Sequence, residues 1–180
     1  VNVRTTSADA RDAGTGETLS YGDLERRSVQ LAHVLHEAGL RPGDVVALLT
    51  ENNLRAFEVY WAAMRSGLYI TAVNWHLKPD EIAYIVNDSG ATALIVSAEQ
   101  APAAEAITGL TSGVKLRLAY GGPVSGYGSY EALVADKLWT PDDDEARQRR
   151  QPLRHLIAGA LRDCRKATRA SSSCGFSVPA

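Results

Sequence analysis

The stretch VVALLTENNLRAFEVYWAAMRSGLYITAV, residues 45–73, contains a complete strand–helix–strand pattern. Residues 45–50 are a short apolar run, which predicts a buried strand, and residues 68–73 have the same character. The side chains between them that repeat at the spacing of one helical face are Leu54, Phe57, Trp61 and Met64. Gly67 is placed to close this helix. Two parallel strands joined by a helix form a right-handed crossover, so the stretch predicts an α/β fold.

The segment before this unit, TLSYGDLERRSVQLAHVLHEAG, predicts a second amphipathic helix. Ser20 is a candidate N-cap, with Asp23 three residues on in a capping-box-like arrangement. The residues that repeat along one face are Leu24, Ser28, Leu31 and Leu35. Gly39 fits the left-handed position that follows a helix end.

The segment after the unit continues the alternation of helices and strands. The predicted elements are a helix at 78–90, a strand at 91–97, a helix at 98–110, a strand at 114–120 and a helix opened by Ser129. Four apolar strands separated by amphipathic helices predict a largely parallel sheet. Periodicity ends near Trp139. We therefore divide the chain into a flexible N-terminus (1–17), an α/β domain (18–139) and a linker with an irregular C-terminal tail (140–180).

Composition excludes several classes of protein. The 180 residues carry a net charge of −2, which argues against a nucleic-acid partner. Residues 146–180 nevertheless hold eight basic residues and one acid. No apolar run approaches the roughly 20 residues of a membrane span, and the polar N-terminus predicts no signal peptide. Two cysteines without a disulfide framework favour a reducing compartment, so we expect a cytoplasmic protein without a membrane span.

One short segment is a candidate substrate pocket. Asn74, Trp75 and His76 come directly after a predicted strand. Ligands of open α/β sheets bind beyond the carboxyl ends of the strands, which favours a pocket at these three residues. The alternative is a loop that a buried Trp75 anchors.

Other chemistry-bearing residues give no site. His33 and His36 lie three apart on a predicted helix but have no matching carboxylate or cysteine. The glycine-rich run 121–128 lacks GxGxxG spacing, and the acidic run 142–145 lacks the spacing of a calcium loop. Cys164 has basic neighbours but no placed general base. We therefore predict no catalytic, cofactor-binding or metal-binding residue in this chain.

Two blocks resemble a known family. TLSYGDLERRSVQLAHVLHEAGLRPGDVVALLTENN and WAAMRSGLYITAVNWHLKPDEIAYIVNDSGATALIV resemble the opening of the AMP-forming acyl-CoA synthetases, which share a fold with luciferase and peptide-synthetase adenylation domains. The resemblance covers about 125 of the 180 residues. It implies the N-terminal part of the large domain of an adenylate-forming enzyme.

The resemblance also implies a reaction and its cofactors. In this family a carboxylate attacks ATP to give an acyl-adenylate and pyrophosphate, and coenzyme A then displaces AMP. Details favour fatty-acid–CoA ligases. The complete enzyme would use ATP, Mg and coenzyme A. The family's next block, close to S-S-G-T-T-G-x-P-K-G, should follow, and neither it nor the later catalytic segments occur in this chain. We therefore expect the chain alone to be inactive.

The tail suggests why that block is missing. Triplets that start at the third base of each codon from Gly159 to Ala167 can encode G-T-T-G-L-P-K-G, at the place where the family requires it. The hypothesis is a frameshift between about Thr140 and Arg154. On this interpretation the basic tail and both cysteines have no selected function.

Two further functions stay open at this point. The chain could be an interaction module that pairs with the downstream ligase portion or with an intact relative. It could instead be a small-molecule-binding α/β domain with its site near Asn74 to His76. An incomplete sheet would in either case leave an unpaired strand edge and exposed apolar faces.

Overall fold

A computed structural model describes residues 9–11 and 18–138 of the chain. In chain order the elements are β1 (Asp9–Arg11), β2 (Thr18–Ser20), α1 (Tyr21–Glu37), β3 (Val45–Leu49), α2 (Arg55–Ser66), β4 (Tyr69–Val73), α3 (Pro79–Asp88), β5 (Ala91–Ser97), α4 (Ala101–Ile107), β6 (Leu116–Tyr120), β7 (Gly128–Ser129) and α5 (Tyr130–Ala135). The predictions for the tail, including the acidic run 142–145 and Cys164, lie outside the described residues.

The sheet is parallel, with strand order β4-β3-β5-β6-β7. This confirms the α/β fold predicted from the alternation of strands and helices. The short strand β7 had no signal in the sequence, because two residues carry no periodicity. Within the segment 1–17, for which the sequence predicts flexibility, β1 pairs antiparallel with β2.

Helices cover both faces of the sheet. One face packs against α1, α2 and α5, and the other packs against α3 and α4. The α1 residues predicted to share a face, Leu24, Ser28, Leu31 and Leu35, are all buried. Ser20 caps α1 as predicted, because its hydroxyl oxygen accepts the Asp23 N–H at 3.0 Å.

A turn clamps β3 and β4 together at their amino ends. Gly67 ends α2 in the left-handed conformation, at φ +68°. Its carbonyl accepts the Gly43 N–H at 2.9 Å, and the Tyr69 N–H donates to the Asp44 carbonyl at 2.9 Å. A Cβ at Gly67 would lie 3.3 Å from the Cβ of Pro42. Only glycine meets both the backbone and the space requirement here.

Helix α2 carries large apolar side chains on its exposed side. Its exposed residues are Phe57, Trp61 and Met64, at 44%, 39% and 69% exposure. They lie on one side of the helix as predicted, yet that side points away from the sheet. The spacing predicts the shared side and not its direction, and the small Ala62 and Ala63 make the close contact with the core.

A fully buried carboxylate fixes this orientation. Glu58 of α2 forms an ion pair with Arg27 of α1, with Nε and Oε1 2.7 Å apart, and accepts a hydrogen bond from Arg55 at 2.8 Å. The hydroxyl of Tyr130, on α5, donates to the same carboxylate at 2.8 Å. Burial raises the pKa of Tyr130 well above its usual value, and the Glu58 charge adds to the rise. Glu58 therefore joins α2 to the two helices beside it.

Candidate functional site

The carboxyl ends of β3 and its neighbours form a crevice in the sheet. The chain leaves β3 toward α2 on one face, whereas it leaves β4 and β5 toward α3 and α4 on the other. Loops that diverge to opposite faces open a gap between adjacent strands, and ligands of α/β proteins bind at such switch points.

A pocket of about 550 Å³ lies at this edge, beyond β3 and β4. Three aromatic side chains contribute to its walls: Phe57, Tyr60 and Trp75. Its polar lining residues are Thr50, Glu51, Asn52, Asn53 and Asn74. Ligand pockets are commonly apolar with a few polar groups, and this one has that character.

The structure places two of the three predicted pocket residues in the wall. Asn74 and Trp75 line the pocket, whereas His76 is not among the lining residues. The His76 ring stacks on Trp75 with ring centroids 3.6 Å apart, and its backbone N–H donates to Asn74 Oδ1 at 3.0 Å. Trp75 is 39% exposed, so it is not the buried anchor of the alternative interpretation.

A hydrogen-bond network behind the pocket was not predicted. Glu51 Oε1 accepts from Ser97 Oγ at 2.9 Å and from Asn53 Nδ2 at 2.7 Å. The hydroxyl of Tyr120 donates to Thr50 Oγ1. Thr50 and Glu51 follow β3, Ser97 is the last residue of β5, and Tyr120 is the last residue of β6. The network therefore joins three parallel strands at their carboxyl ends. The only signal in the sequence was that each polar residue ends an apolar run.

The network perturbs two pKa values. Burial alone would raise the pKa of Glu51, but hydrogen bonds from its own backbone, Asn53 and Ser97 outweigh burial and lower it below the usual 4.5. Burial raises the pKa of Tyr120 to about 12, although its hydrogen bonds to Thr50 and Asn53 oppose the rise. At neutral pH the edge therefore carries one carboxylate and a neutral phenol.

The pocket is unsuited to anions. Among its lining residues in the described chain, none is lysine, arginine or histidine, and Glu51 supplies a negative charge. A carboxylate or phosphate would enter without a positive partner, which is costly in a partly buried site. The pocket suits an uncharged or cationic group with an apolar or aromatic body.

The glycine-rich run 121–128 makes contacts within the protein. The Gly121 N–H donates to Glu131 Oε1 at 3.0 Å, and the Ser125 N–H donates to Glu105 Oε1 at 3.1 Å. The chain's own carboxylates thus occupy backbone donors that a phosphate would need. Within residues 18–138, no group of three or more histidine, cysteine or acidic side chains could hold a metal ion. No helix of that region is long and apolar enough to cross a membrane.

The chain belongs to the family of AMP-binding enzymes, whose pattern matches residues 2–156. It is 37% identical over 110 residues to the fatty acid–[acyl-carrier-protein] ligase ScoC of Streptomyces coeruleorubidus, covering 57% of this chain and 21% of that protein. It therefore spans about a fifth of the length of this relative.

Solved structures agree with the family assignment. The anthranilate CoA ligase AuaEII, in complex with anthranoyl-AMP, is similar with a TM-score of 0.62 and 26% identity, over 67% of this chain and 23% of that one. A red-emitting luciferase from Phrixothrix hirtus shares the fold, with a TM-score of 0.66 and 24% identity over 73% of this chain and 33% of that one. These likenesses agree with the α/β fold and with the AMP-binding family.

Proposed function

We propose that the chain is the N-terminal portion of a fatty-acid–CoA ligase. The complete enzyme would join a carboxylate to AMP, release pyrophosphate, and pass the acyl group to coenzyme A. The observation that carries the proposal is the family match over residues 2–156 together with a parallel sheet that superimposes on acyl-adenylating enzymes.

The portion is inactive by itself. A phosphate-binding loop needs free backbone donors and a positive charge, because phosphates carry negative charge. The pocket has no basic lining residue, and carboxylates accept from the Gly121 and Ser125 amides. The binding of ATP, Mg and coenzyme A is therefore expected to require the remaining part of the complete enzyme.

A frameshift between about Thr140 and Arg154 is proposed as the origin of the tail, because the triplets from Gly159 to Ala167 can encode G-T-T-G-L-P-K-G. The nucleotide sequence across codons 135–180 tests this. A shifted frame that reads G-T-T-G-L-P-K-G from Gly159 to Ala167 and continues into adenine-binding segments supports the proposal, and immediate stop codons contradict it.

The activity is tested with the purified chain, ATP, coenzyme A and a series of fatty acids. We expect no pyrophosphate and no thioester above the rate without protein. Co-expression with the downstream portion of a ligase, ScoC without the region that this chain matches, should restore pyrophosphate release. Turnover by the chain alone would contradict the assignment of inactivity, and no turnover in the mixture would contradict the ligase assignment.

A small-molecule-binding role is the second candidate, and the pocket at Asn74 and Trp75 favours it. Because Glu51 is the charged residue of its lining, the ligand would be neutral or cationic. Neutral and cationic aromatic compounds should raise the unfolding temperature of the chain, and aromatic carboxylates should not. Substitution of Trp75 by alanine should abolish the shift. A shift that survives in Trp75→Ala would contradict this role.

A further inference from the structure

The outward side of α2 has the wrong polarity for contact with water. The residues of α2 that are exposed are all large and apolar, namely Phe57, Trp61 and Met64. The one carboxylate of the helix, Glu58, is completely buried. A surface helix of a self-sufficient domain places its charged residues outside and its apolar residues inside. Helix α2 does the reverse.

This orientation is fixed by the surrounding contacts. Any rotation of α2 that buried Trp61 would withdraw Glu58 from Arg27 and Tyr130, which hold it at 2.7 and 2.8 Å. It would also break the Gly67 turn that joins α2 to β4. Removing one partner from a buried charge is strongly destabilising, so the apolar side stays outward.

The exposed side chains form one continuous apolar surface. Phe57, Trp61 and Met64 follow each other at spacings of four and three residues, which makes them neighbours on the helix. Phe57 and Trp75 both line the pocket. We call Phe57, Trp61, Met64 and Trp75 the α2 surface. Strand β4 beside it is an edge of the sheet in the described chain, and its Tyr69 is 68% exposed.

The length of the relatives indicates what covers the α2 surface. This chain accounts for 21% of ScoC, so about four fifths of such a ligase lies outside the matched region. No charged side chain belongs to the α2 surface, so an apolar protein face matches it better than a nucleic acid or a charged ligand.

We propose that the α2 surface is the docking face for the remaining portion of an adenylate-forming ligase, whether that portion is supplied in trans or read in the shifted frame. The inference rests on the proposed function and adds the place of contact. Trp61 and Met64 are its central anchors, since aromatic and methionine side chains dominate interface cores.

The test uses the full chain, carrying an affinity tag, co-expressed with ScoC that lacks the region this chain matches. The docking variant is Trp61→Glu with Met64→Glu. The matched control is Tyr84→Glu with Leu110→Glu, which replaces two exposed apolar residues outside the α2 surface (68% and 55% exposed). Glutamate has a good helix propensity at Trp61, Met64 and Tyr84, and Leu110 lies in an exposed turn after α4. Neither change should therefore disturb the fold, and circular dichroism and unfolding midpoints should match the wild type.

The wild-type chain should recover soluble ScoC fragment, and the control should do so within about twofold. The docking variant should recover at least about tenfold less, because hot-spot anchors at an interface centre carry most of the binding. Equal recovery by both variants, or fragment that stays insoluble beside the wild-type chain, overturns the proposal. So does a wild-type dimer in sedimentation that the docking variant dissociates, since the occupant would then be a second copy.

Pyrophosphate release in the same samples separates this inference from the proposed function. Recovery of the fragment without pyrophosphate release contradicts the ligase assignment and leaves the docking face standing. Pyrophosphate release that the docking variant retains in full contradicts the docking face and leaves the ligase assignment standing.

Discussion

Helices α1 and α2 lie side by side on the same face of the sheet, but their exposed residues differ in polarity. The exposed residues of α1 include Asp23, His36 and Glu37, and its central residues are buried. The exposed residues of α2 are Phe57, Trp61 and Met64. Helix α1 packs against both α2 and α5. In the described part of the chain, α2 packs mainly against α1.

The difference shows that the burial of a helix face depends on every segment that packs against that face. The spacing of apolar residues in α2 correctly identifies a helix with an apolar side. It does not say whether this side faces the sheet or points away from it. Glu58 supplies the deciding contact, because a carboxylate with three partners must point inward.

Glu58→Ala should cause the largest loss in the free energy of unfolding. The change leaves Arg27 and Arg55 without their shared carboxylate and releases α2 from α1. We expect a loss of roughly 4 kcal/mol in the free energy of unfolding, measured by urea titration. The exposed pair Arg26–Asp23 provides the control, and Arg26→Ala should cost about 1 kcal/mol or less. A small loss for Glu58→Ala would mean that α2 is not anchored by this charge.

A matched pair of truncations compares the two helices directly. Leu31→Ala in α1 removes a fully buried side chain and should cost roughly 3 kcal/mol. Met64→Ala in α2 removes a side chain that is 69% exposed and should change stability by no more than about 0.5 kcal/mol. Equal costs, again by urea titration of the chain alone, would show that Met64 is covered in solution.

The starts of the two helices allow a finer comparison. Ser20 caps α1 through its side chain, whereas Asn53 Oδ1 accepts the Ala56 N–H at 3.2 Å at the start of α2. Ser20→Ala should cost about 1 kcal/mol, and Ser20→Gly less. Thermal unfolding of the two variants checks this, and an unchanged midpoint for Ser20→Ala would indicate that α1 frays at this end.

The smallest expected effect is the contribution of Glu51, beside α2, to the pH dependence of stability. Its pKa is lowered in the folded chain, so the folded state binds fewer protons than the unfolded state as the pH approaches 4.5. The stabilisation is full above that value and is lost as the pH falls through the lowered pKa. Urea titrations at descending pH should show a shallower loss for Glu51→Gln than for the wild type. Parallel curves would contradict an ionised Glu51 held by Ser97 and Asn53.

Much of the fold follows from local sequence signals. The caps and the periodicity around Ser20, Gly67 and Ser129 place helices where the structure has them, because these signals act over a few residues. The strand 91–97 was predicted with its observed bounds. The strands β1, β2 and β7 were missed, since two or three residues are too few to show a period.

Less of the site could be predicted, for a physical reason. The position of Asn74 after a strand points to the carboxyl edge of the sheet, and the structure places it in the pocket there. The partners of Glu51 are Ser97 and Asn53, and the first of these is 46 residues away. Such a network depends on strand order, which composition and spacing do not encode.

The Gly67 turn restricts the strand registers that the chain can adopt as it folds. It sets Tyr69 opposite Val45, so the register of β3 and β4 and the roll of α2 between them are decided together. A one-residue slip would turn Ile70 and Ala72 to the opposite face, and the turn forbids it. Within the described residues, the turn therefore opposes an arrangement that packs Trp61 against the sheet. Local geometry here prevails over the drive to bury every large side chain.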